Sequence, residues 1–148
     1  MPSLPTPVLL AEARALSAQL ISVAERARVD FASVVSEVGL TPPQARAVLF
    51  LDQPTPMRSI ATHLACDASN VTGLADRLQE MGVVERVPGQ DRRVKLLMLT
   101  DRGAALRAEV VDRVARGSTV TARLNGEERQ QLSTLLDKLL AEPARAKV

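Results

Sequence analysis

The feature that most constrains the fold is a pair of short apolar runs, at residues 83–87 and 94–99, in a chain that otherwise follows the helical period. A turn-forming Pro88-Gly89 pair and a charged loop separate the two runs. This arrangement is typical of two strands joined as a β-hairpin. The sequence therefore predicts a mainly α protein with one small β-hairpin.

The segment before the hairpin predicts three closely spaced helices. Thr41 and Gln44 have capping-box spacing, so a helix is expected from Pro42 up to a turn at 54–56. A second short helix is expected over 58–65. After a tight connection, the third helix has an inward-facing apolar stripe formed by Val71, Leu74, Leu78 and Met81. Gly82 is placed to end this helix in a left-handed cap. Two short helices joined by a few residues match the helix-turn-helix pattern.

The first part of the chain predicts one long amphipathic helix. After an extended start at Pro2, Pro5 and Pro7, apolar residues recur every three or four positions from Leu9 to Val38, and Gly39 ends the series. At about 1.5 Å per residue this helix would reach roughly 45 Å, longer than a small domain is wide. Part of its stripe is therefore expected to pack outside its own domain, although wrapping by its own chain stays open as an alternative. After the hairpin two more helices are expected, the first capped by Thr100 and the second by Asn125 with Glu128. The second is rich in leucine, at Leu132, Leu135, Leu136, Leu139 and Leu140.

Composition narrows the class of protein. The net charge of +2 is too small to identify a nucleic-acid partner by itself. A single cysteine, Cys66, excludes an internal disulfide and favours a reducing compartment. It is expected to be a buried packing residue, with redox activity left open, and His63 is not expected to be a ligand. With no leader and no long apolar span, the sequence predicts a cytoplasmic protein without a membrane partner.

No catalytic pattern is found in the sequence. There is no nucleophile–base pairing, no glycine-rich phosphate loop and no cluster of metal ligands. One histidine and one cysteine do not make a structural zinc site. We therefore expect no enzyme, no cofactor and no metal.

Two runs of sequence carry a family resemblance. D-R-R-V-K-L-L-M-L-T-D-R-G, from Asp91 to Gly103, resembles the wing of the MarR family of bacterial transcription regulators, where Asp-x-Arg precedes a strand ending in Leu-Thr. D-A-S-N-V-T-G-L-A-D-R-L-Q-E-M-G-V-V-E-R, from Asp67 to Arg86, is similar to that family's recognition helix and first wing strand. The resemblance implies a winged helix-turn-helix DNA-binding domain over 41–103. Helical dimerisation regions are implied at 1–40 and 104–148.

The third helix of the helix-turn-helix segment is the expected recognition helix. Such a helix offers its N-terminal turns to base edges in the major groove, so hydrogen-bonding side chains belong on the face opposite its apolar stripe. Asn pairs with adenine, Thr also offers a methyl group to thymine, and Gly allows close approach. The residues expected to contact DNA are Ser69, Asn70, Thr72, Gly73 and Arg77. For Ser69 and Asn70, helix capping alone remains an alternative.

The hairpin loop carries the strongest local charge. Residues 86–95 hold four cations against Asp91 alone. Arginine at a hairpin tip suits the negative potential of a narrow minor groove, although most charged hairpin tips are only solvated. The resemblance implies that Asp91 braces an inserted Arg93 and that Arg92 lies near the DNA backbone. Arg86 and Lys95 are expected to support the wing.

The predicted function is a sequence-specific DNA-binding transcription regulator, a repressor acting as a homodimer. Its half-sites would lie about 10–10.5 base pairs apart in a pseudo-palindrome. The resemblance also implies release by a small-molecule effector, for which the sequence assigns no ligand residues. The alternative is a winged-helix module that binds an acidic protein partner without reading DNA sequence.

Overall fold

The computed structural model of the chain describes residues 7–141. These residues form six α-helices and one three-stranded sheet, which confirms the predicted mainly α fold with a small hairpin. The extended start was predicted at Pro2, Pro5 and Pro7, and the first two lie outside the described residues. For Pro7 the prediction is wrong, because the first helix begins there, and the fixed φ of proline suits the first helical position. In chain order the elements are α1 (Pro7–Ser36), α2 (Pro42–Phe50), β1 (Thr55–Pro56), α3 (Met57–Leu64), α4 (Ala68–Glu80), β2 (Val84–Pro88), β3 (Lys95–Leu99), α5 (Asp101–Gly117) and α6 (Gly126–Leu140).

The sheet has the strand order β1-β3-β2, with both pairs antiparallel. β2 and β3 form the predicted hairpin, in which Arg86 lies opposite Leu97. The prediction of a simple turn at 54–56 is wrong in part, because Thr55 and Pro56 pair with β3 as a short edge strand. Proline is tolerated there because an edge strand leaves one row of its backbone groups unpaired.

One hydrophobic core joins the sheet to α2, α3, α4, α5 and the end of α1. Its members are aliphatic, as expected from a chain with two phenylalanines, no tryptophan and no tyrosine. α3 and α4 form the predicted helix-turn-helix, and Ala65 ends α3 in the left-handed conformation at φ 52°. The largest fully buried side chains are Leu51, Ile60, Leu78, Leu97, Val35, Val48, Val71, Val83, Val84 and Val110.

Local capping fixes where several helices begin. Thr41 Oγ1 accepts from the Gln44 backbone N–H, and the Thr41 backbone N–H donates to Gln44 Oε1 over 2.9 Å, which confirms the predicted capping box of α2. Asn125 and Glu128 make the same reciprocal pair at α6. At the end of α4, Gly82 adopts φ +70°, as its predicted cap role requires. These caps replace hydrogen-bond partners that helix ends lack.

The start of α5 lies directly against the root of the hairpin. Thr100 Oγ1 donates toward the Gly82 and Val83 carbonyl oxygens, at 2.6 and 3.2 Å, and accepts from the Gly103 backbone N–H at 3.0 Å. Gly103 is buried there, and a Cβ atom on it would lie 1.9 Å from the Val83 carbonyl oxygen. Only glycine therefore fits this approach of helix to strand.

The described chain divides into two compact units, Arg28–Gly117 and the described residues on either side of that range. In the first unit an ionic cluster joins the end of α1 to α5. Arg113 contacts Glu109 at 2.9 Å and Glu37 at 2.7 Å. The hydrogen bond to Glu109 is the main cause of the raised pKa of Arg113.

The second unit exposes much apolar surface. The predicted long helix is confirmed as α1, whose thirty residues extend about 45 Å at 1.5 Å per residue. Within residues 7–141 no helix is long and apolar enough to cross a bilayer. The exposed large apolar side chains of this unit include Val8, Leu9, Leu10, Leu16, Leu20, Ile21 and Val23 on α1, and Leu135, Leu136, Leu139 and Leu140 on α6.

Candidate nucleic-acid interface

α4 has one face in the core and the other in solvent. Val71, Ala75 and Leu78 are buried, whereas the predicted inward residues Leu74 and Met81 are only half-buried. Ala75 was missed in the predicted stripe, because a small side chain gives little apolar signal although it allows close packing. All five helix residues predicted to contact DNA are exposed on the opposite side: Ser69, Asn70, Thr72, Gly73 and Arg77.

The first turn of α4 leaves its polar side chains available. The N-cap position belongs to Asp67, which makes no side-chain capping hydrogen bond. Ser69 and Asn70 are the second and third residues of α4, two and three positions after the N-cap, so they do not cap the helix. Thr72 Oγ1 donates to the Ala68 carbonyl oxygen at 3.0 Å, which keeps the hydroxyl close to the helix backbone. The geometry thus does not favour capping as the only role of Ser69 and Asn70.

Gly73 has no structural reason to be glycine within its own chain. It lies inside α4, its φ is not positive, and a Cβ atom there would meet no described atom within 4 Å. Glycine inside a helix costs about 1 kcal/mol relative to alanine. Neither packing nor backbone conformation explains this cost.

Two arginines flank the outward face of α4. Arg77 is exposed, one helical turn beyond Gly73, and lines a groove between α4 and the start of α2. Arg58, which the sequence reasoning missed, lies in the first turn of α3 and lines the same concavity as Asn70 and Cys66. Its position at the start of the first helix of the helix-turn-helix was a signal that could have identified it.

The hairpin loop is held by Asp91. Its carboxylate accepts from the Arg93 backbone N–H at 3.0 Å, and its carbonyl oxygen accepts from the Val94 N–H at 2.9 Å. Asp91 therefore orders the backbone that carries Arg93, and among residues 7–141 it forms no ion pair with an arginine guanidinium. Arg92 and Arg93 are exposed in this loop, and Lys95 lies exposed at the start of β3 opposite Pro88.

Arg86 differs from the other wing cations. Its Nη1 atom donates to Gln79 Oε1 at 2.7 Å, and its Nη2 atom donates to Asp76 Oδ1 at 2.5 Å. Its side chain is 25% exposed and that of Asp76 is 52% exposed. Arg86 thus connects the first wing strand to α4 instead of extending from the wing.

Cys66 and His63 form no metal or catalytic site with other described residues. Cys66 is half-buried in the turn between α3 and α4, at the margin of the core. His63 stacks on Phe50 with ring centroids 4.0 Å apart and planes 9° apart. Within residues 7–141 no three metal-ligating side chains cluster. What the exposed surface does offer is hydrogen-bonding side chains on a helix and cations on a hairpin, the chemistry of a duplex-binding surface.

Comparisons with known proteins point the same way. The sequence profile of the MarR family matches residues 40–95. The HTH-type transcriptional regulator MgrA of Staphylococcus aureus is 28% identical over 113 residues, which cover 72% of this chain and 74% of MgrA. The crystal structure of wild-type MarR from E. coli, in its apo form, superposes with a TM-score of 0.74 at 25% identity, covering 85% of this chain and 96% of that one.

A further solved structure shares the fold. A MarR family protein of Mycobacterium tuberculosis, crystallised in complex with p-aminosalicylic acid, superposes with a TM-score of 0.70 at 24% identity. The alignment covers 85% of this chain and 98% of that protein.

Proposed function

Since the chain belongs to the MarR family of winged helix-turn-helix transcription regulators, we propose that it represses transcription as a homodimer bound to a pseudo-palindromic operator. DNA binding and regulation follow from the family. What we propose beyond this is the role of each residue at the interface, assembly as a dimer, repression of transcription, and release by an effector. Its main support is the exposed polar face of α4 together with a hairpin loop on which Arg92 and Arg93 are exposed.

The first turns of α4 would read base edges in the major groove. Asn70 has the amide needed for a two-point hydrogen bond to adenine, and Ser69 accepts or donates. Thr72 donates its hydroxyl to its own helix, so its methyl group is the part best suited to contact a thymine methyl. Exposure of all three side chains supports this role.

The flanks of α4 would contact the DNA backbone. The open space above Gly73 would admit the sugar-phosphate backbone closer to the helix than any side chain would allow. Arg77 and Arg58 carry exposed positive charge on either side of the reading face, where phosphates would lie. Such contacts set position and affinity but carry no sequence information directly.

The hairpin would enter the adjacent minor groove. Arg93, whose backbone Asp91 orders, is the side chain proposed to insert, with Arg92 against the backbone. Arg86 and Lys95 would support the wing at its base. Minor-groove width varies with sequence, so the wing would add shape readout to the base contacts of α4.

Dimerisation would occur through the helices outside the DNA-binding unit. Among the described residues, α1 and α6 together expose twelve large aliphatic side chains in a single chain. Contiguous apolar patches above a few hundred Å² usually mark an interaction site. We therefore retain residues 1–40 and 104–148 as dimerisation regions and 41–103 as the DNA-binding domain, with half-sites about 10–10.5 base pairs apart.

Repression and its release complete the proposal. A dimer that covers one face of a promoter would block the polymerase by occupancy alone. The p-aminosalicylic acid held by the Mycobacterium tuberculosis protein of the same fold supports a small aromatic acid as the class of effector to try first. No residue of this chain is assigned to that ligand.

The proposal is tested by selecting bound duplexes from a random DNA library with the purified protein. A palindromic consensus is expected, bound at least about a thousandfold more tightly than scrambled DNA. Affinity should fall steeply with salt, and sedimentation should give a dimer. Equal, weak binding to every duplex would contradict the proposal and favour the module that binds an acidic protein partner.

A further inference from the structure

Arg86 occupies a position in β2 that would normally be apolar. Its partner across the hairpin is Leu97, which is fully buried, and residues opposite each other in an antiparallel pair share a face of the sheet. Val84, two residues earlier on that face, is also buried. Arg86 is therefore a cation on the core-facing side of the wing.

The guanidinium of Arg86 connects two residues of α4 that lie one turn apart. Its Nη1 and Nη2 atoms donate separately to Gln79 and Asp76, which are spaced three residues apart and so share one face of the helix. Because the guanidinium is planar and rigid, this double contact restrains both rotation of α4 about its axis and sliding along it.

We propose that Arg86 is a positioning residue for sequence reading, with Asp76 as its charged partner. It sets the angle at which α4 presents Asn70 and its neighbours relative to the wing, and it does not itself contact DNA. This inference rests on the proposed function, because it specifies how the same interface discriminates sequences.

The contacts of Arg86 explain why it is not another phosphate ligand. Its side chain is three-quarters covered, and both terminal nitrogens already have partners. The pair also neutralises the Asp76 carboxylate, which would otherwise repel phosphates beside Arg77. Buried or half-buried ion pairs add little net stability compared with apolar packing. Orienting α4 relative to the wing therefore explains the arginine at position 86 better than a contribution to folding stability does.

The test compares two variants that each remove one positive charge, Arg86→Gln and Arg77→Gln. Affinity is measured over a range of salt for the duplex selected by the wild-type protein and for a scrambled duplex. Arg77→Gln should make the salt dependence shallower by about 1.8 per dimer, one phosphate contact per subunit. Arg86→Gln should leave that slope unchanged and lower the ratio of specific to non-specific affinity by about tenfold or more.

A double-mutant cycle with Asp76→Asn identifies the partner. In the Asp76→Asn background, the further change Arg86→Gln should cost less than about threefold in the affinity ratio, because coupled residues are not additive. Equal cost in both backgrounds would show that Arg86 does not act through Asp76, and a slope as shallow as that of Arg77→Gln would show a direct phosphate contact. Either result would overturn the inference. No change in the ratio would overturn it as well.

Folding and function are separated by two controls. If Arg86→Gln fails to fold, Asp76→Asn alone serves, because its half-exposed carboxylate is not needed for the core. It should lower the affinity ratio, whereas an unchanged or equally raised affinity for both duplexes would refute positioning. If the wild-type protein does not discriminate between duplexes, the proposed function itself fails, and this inference with it.

Discussion

The substitution Gly73→Ala should make the protein more stable and a weaker DNA binder. The added methyl group would meet no described atom within 4 Å, so it introduces neither strain nor useful packing. What remains is helix propensity, which favours alanine by about 0.8–1 kcal/mol in a helix interior. For a chain of this size a gain of 1 kcal/mol raises Tm by roughly 2–4 °C.

The effect on DNA binding should have the opposite sign. On the proposed interface the Gly73 backbone lies against the DNA, so a methyl group would separate α4 from the groove and lengthen the hydrogen bonds of Asn70. We expect the affinity for the selected duplex to fall at least tenfold, which is about 1.4 kcal/mol. A stabilising substitution that impairs function is the signature of a residue kept for binding.

Thermal unfolding of the free protein and fluorescence anisotropy with a labelled duplex measure the two effects. Gly126→Ala is the matched control, because Gly126 also lies in a helix with open space around it, at the start of α6. That control should leave DNA affinity unchanged. If Gly73→Ala raises Tm but leaves the DNA affinity undiminished, the DNA does not approach Gly73 closely. If it lowers Tm, the space beside Gly73 is not open.

Three further substitutions test other parts of the structure. Arg93→Ala should weaken binding to the selected duplex at least about tenfold without changing the far-UV circular dichroism spectrum, and an unchanged Kd would exclude the wing from the interface. Gly103→Ala should destabilise the fold by about 1–3 kcal/mol in urea unfolding, because its Cβ atom would lie 1.9 Å from the Val83 carbonyl oxygen; wild-type stability would contradict that packing. Leu20→Glu, at a residue 46% exposed in the single chain, should shift sedimentation from dimer to monomer, and a persistent dimer would place the interface elsewhere.

Features set by neighbouring residues could be predicted from the sequence. The Thr41–Gln44 and Asn125–Glu128 caps and the left-handed Gly82 depend on a few consecutive residues, and all occur as expected. The outward face of α4 also followed from its helical period. Helix and strand ends shifted by a residue or two, which is the usual uncertainty at element ends.

Features set by contacts between distant segments could not be predicted. The strand at Thr55 and Pro56 forms only because β3 offers a free edge, and two residues show no strand period of their own. The bonds from Arg86 to Asp76 and Gln79 depend on how the hairpin folds back on α4. The family resemblance implied that Asp91 braces Arg93, but only the structure shows that the Asp91 carboxylate accepts from the Arg93 backbone N–H.

The close fit of Gly103 and Thr100 to Val83 has a mechanical consequence. The first turn of α5 is hydrogen-bonded and closely packed to the root of the hairpin. We therefore expect α5 and the hairpin to tilt together as one rigid element. Five residues of β2 span about 17 Å at 3.3 Å per residue, so a 10° tilt at the root would displace the loop by roughly 3 Å. That is about half the width of a minor groove, and a modest reorientation of α5 would therefore suffice to withdraw an inserted arginine.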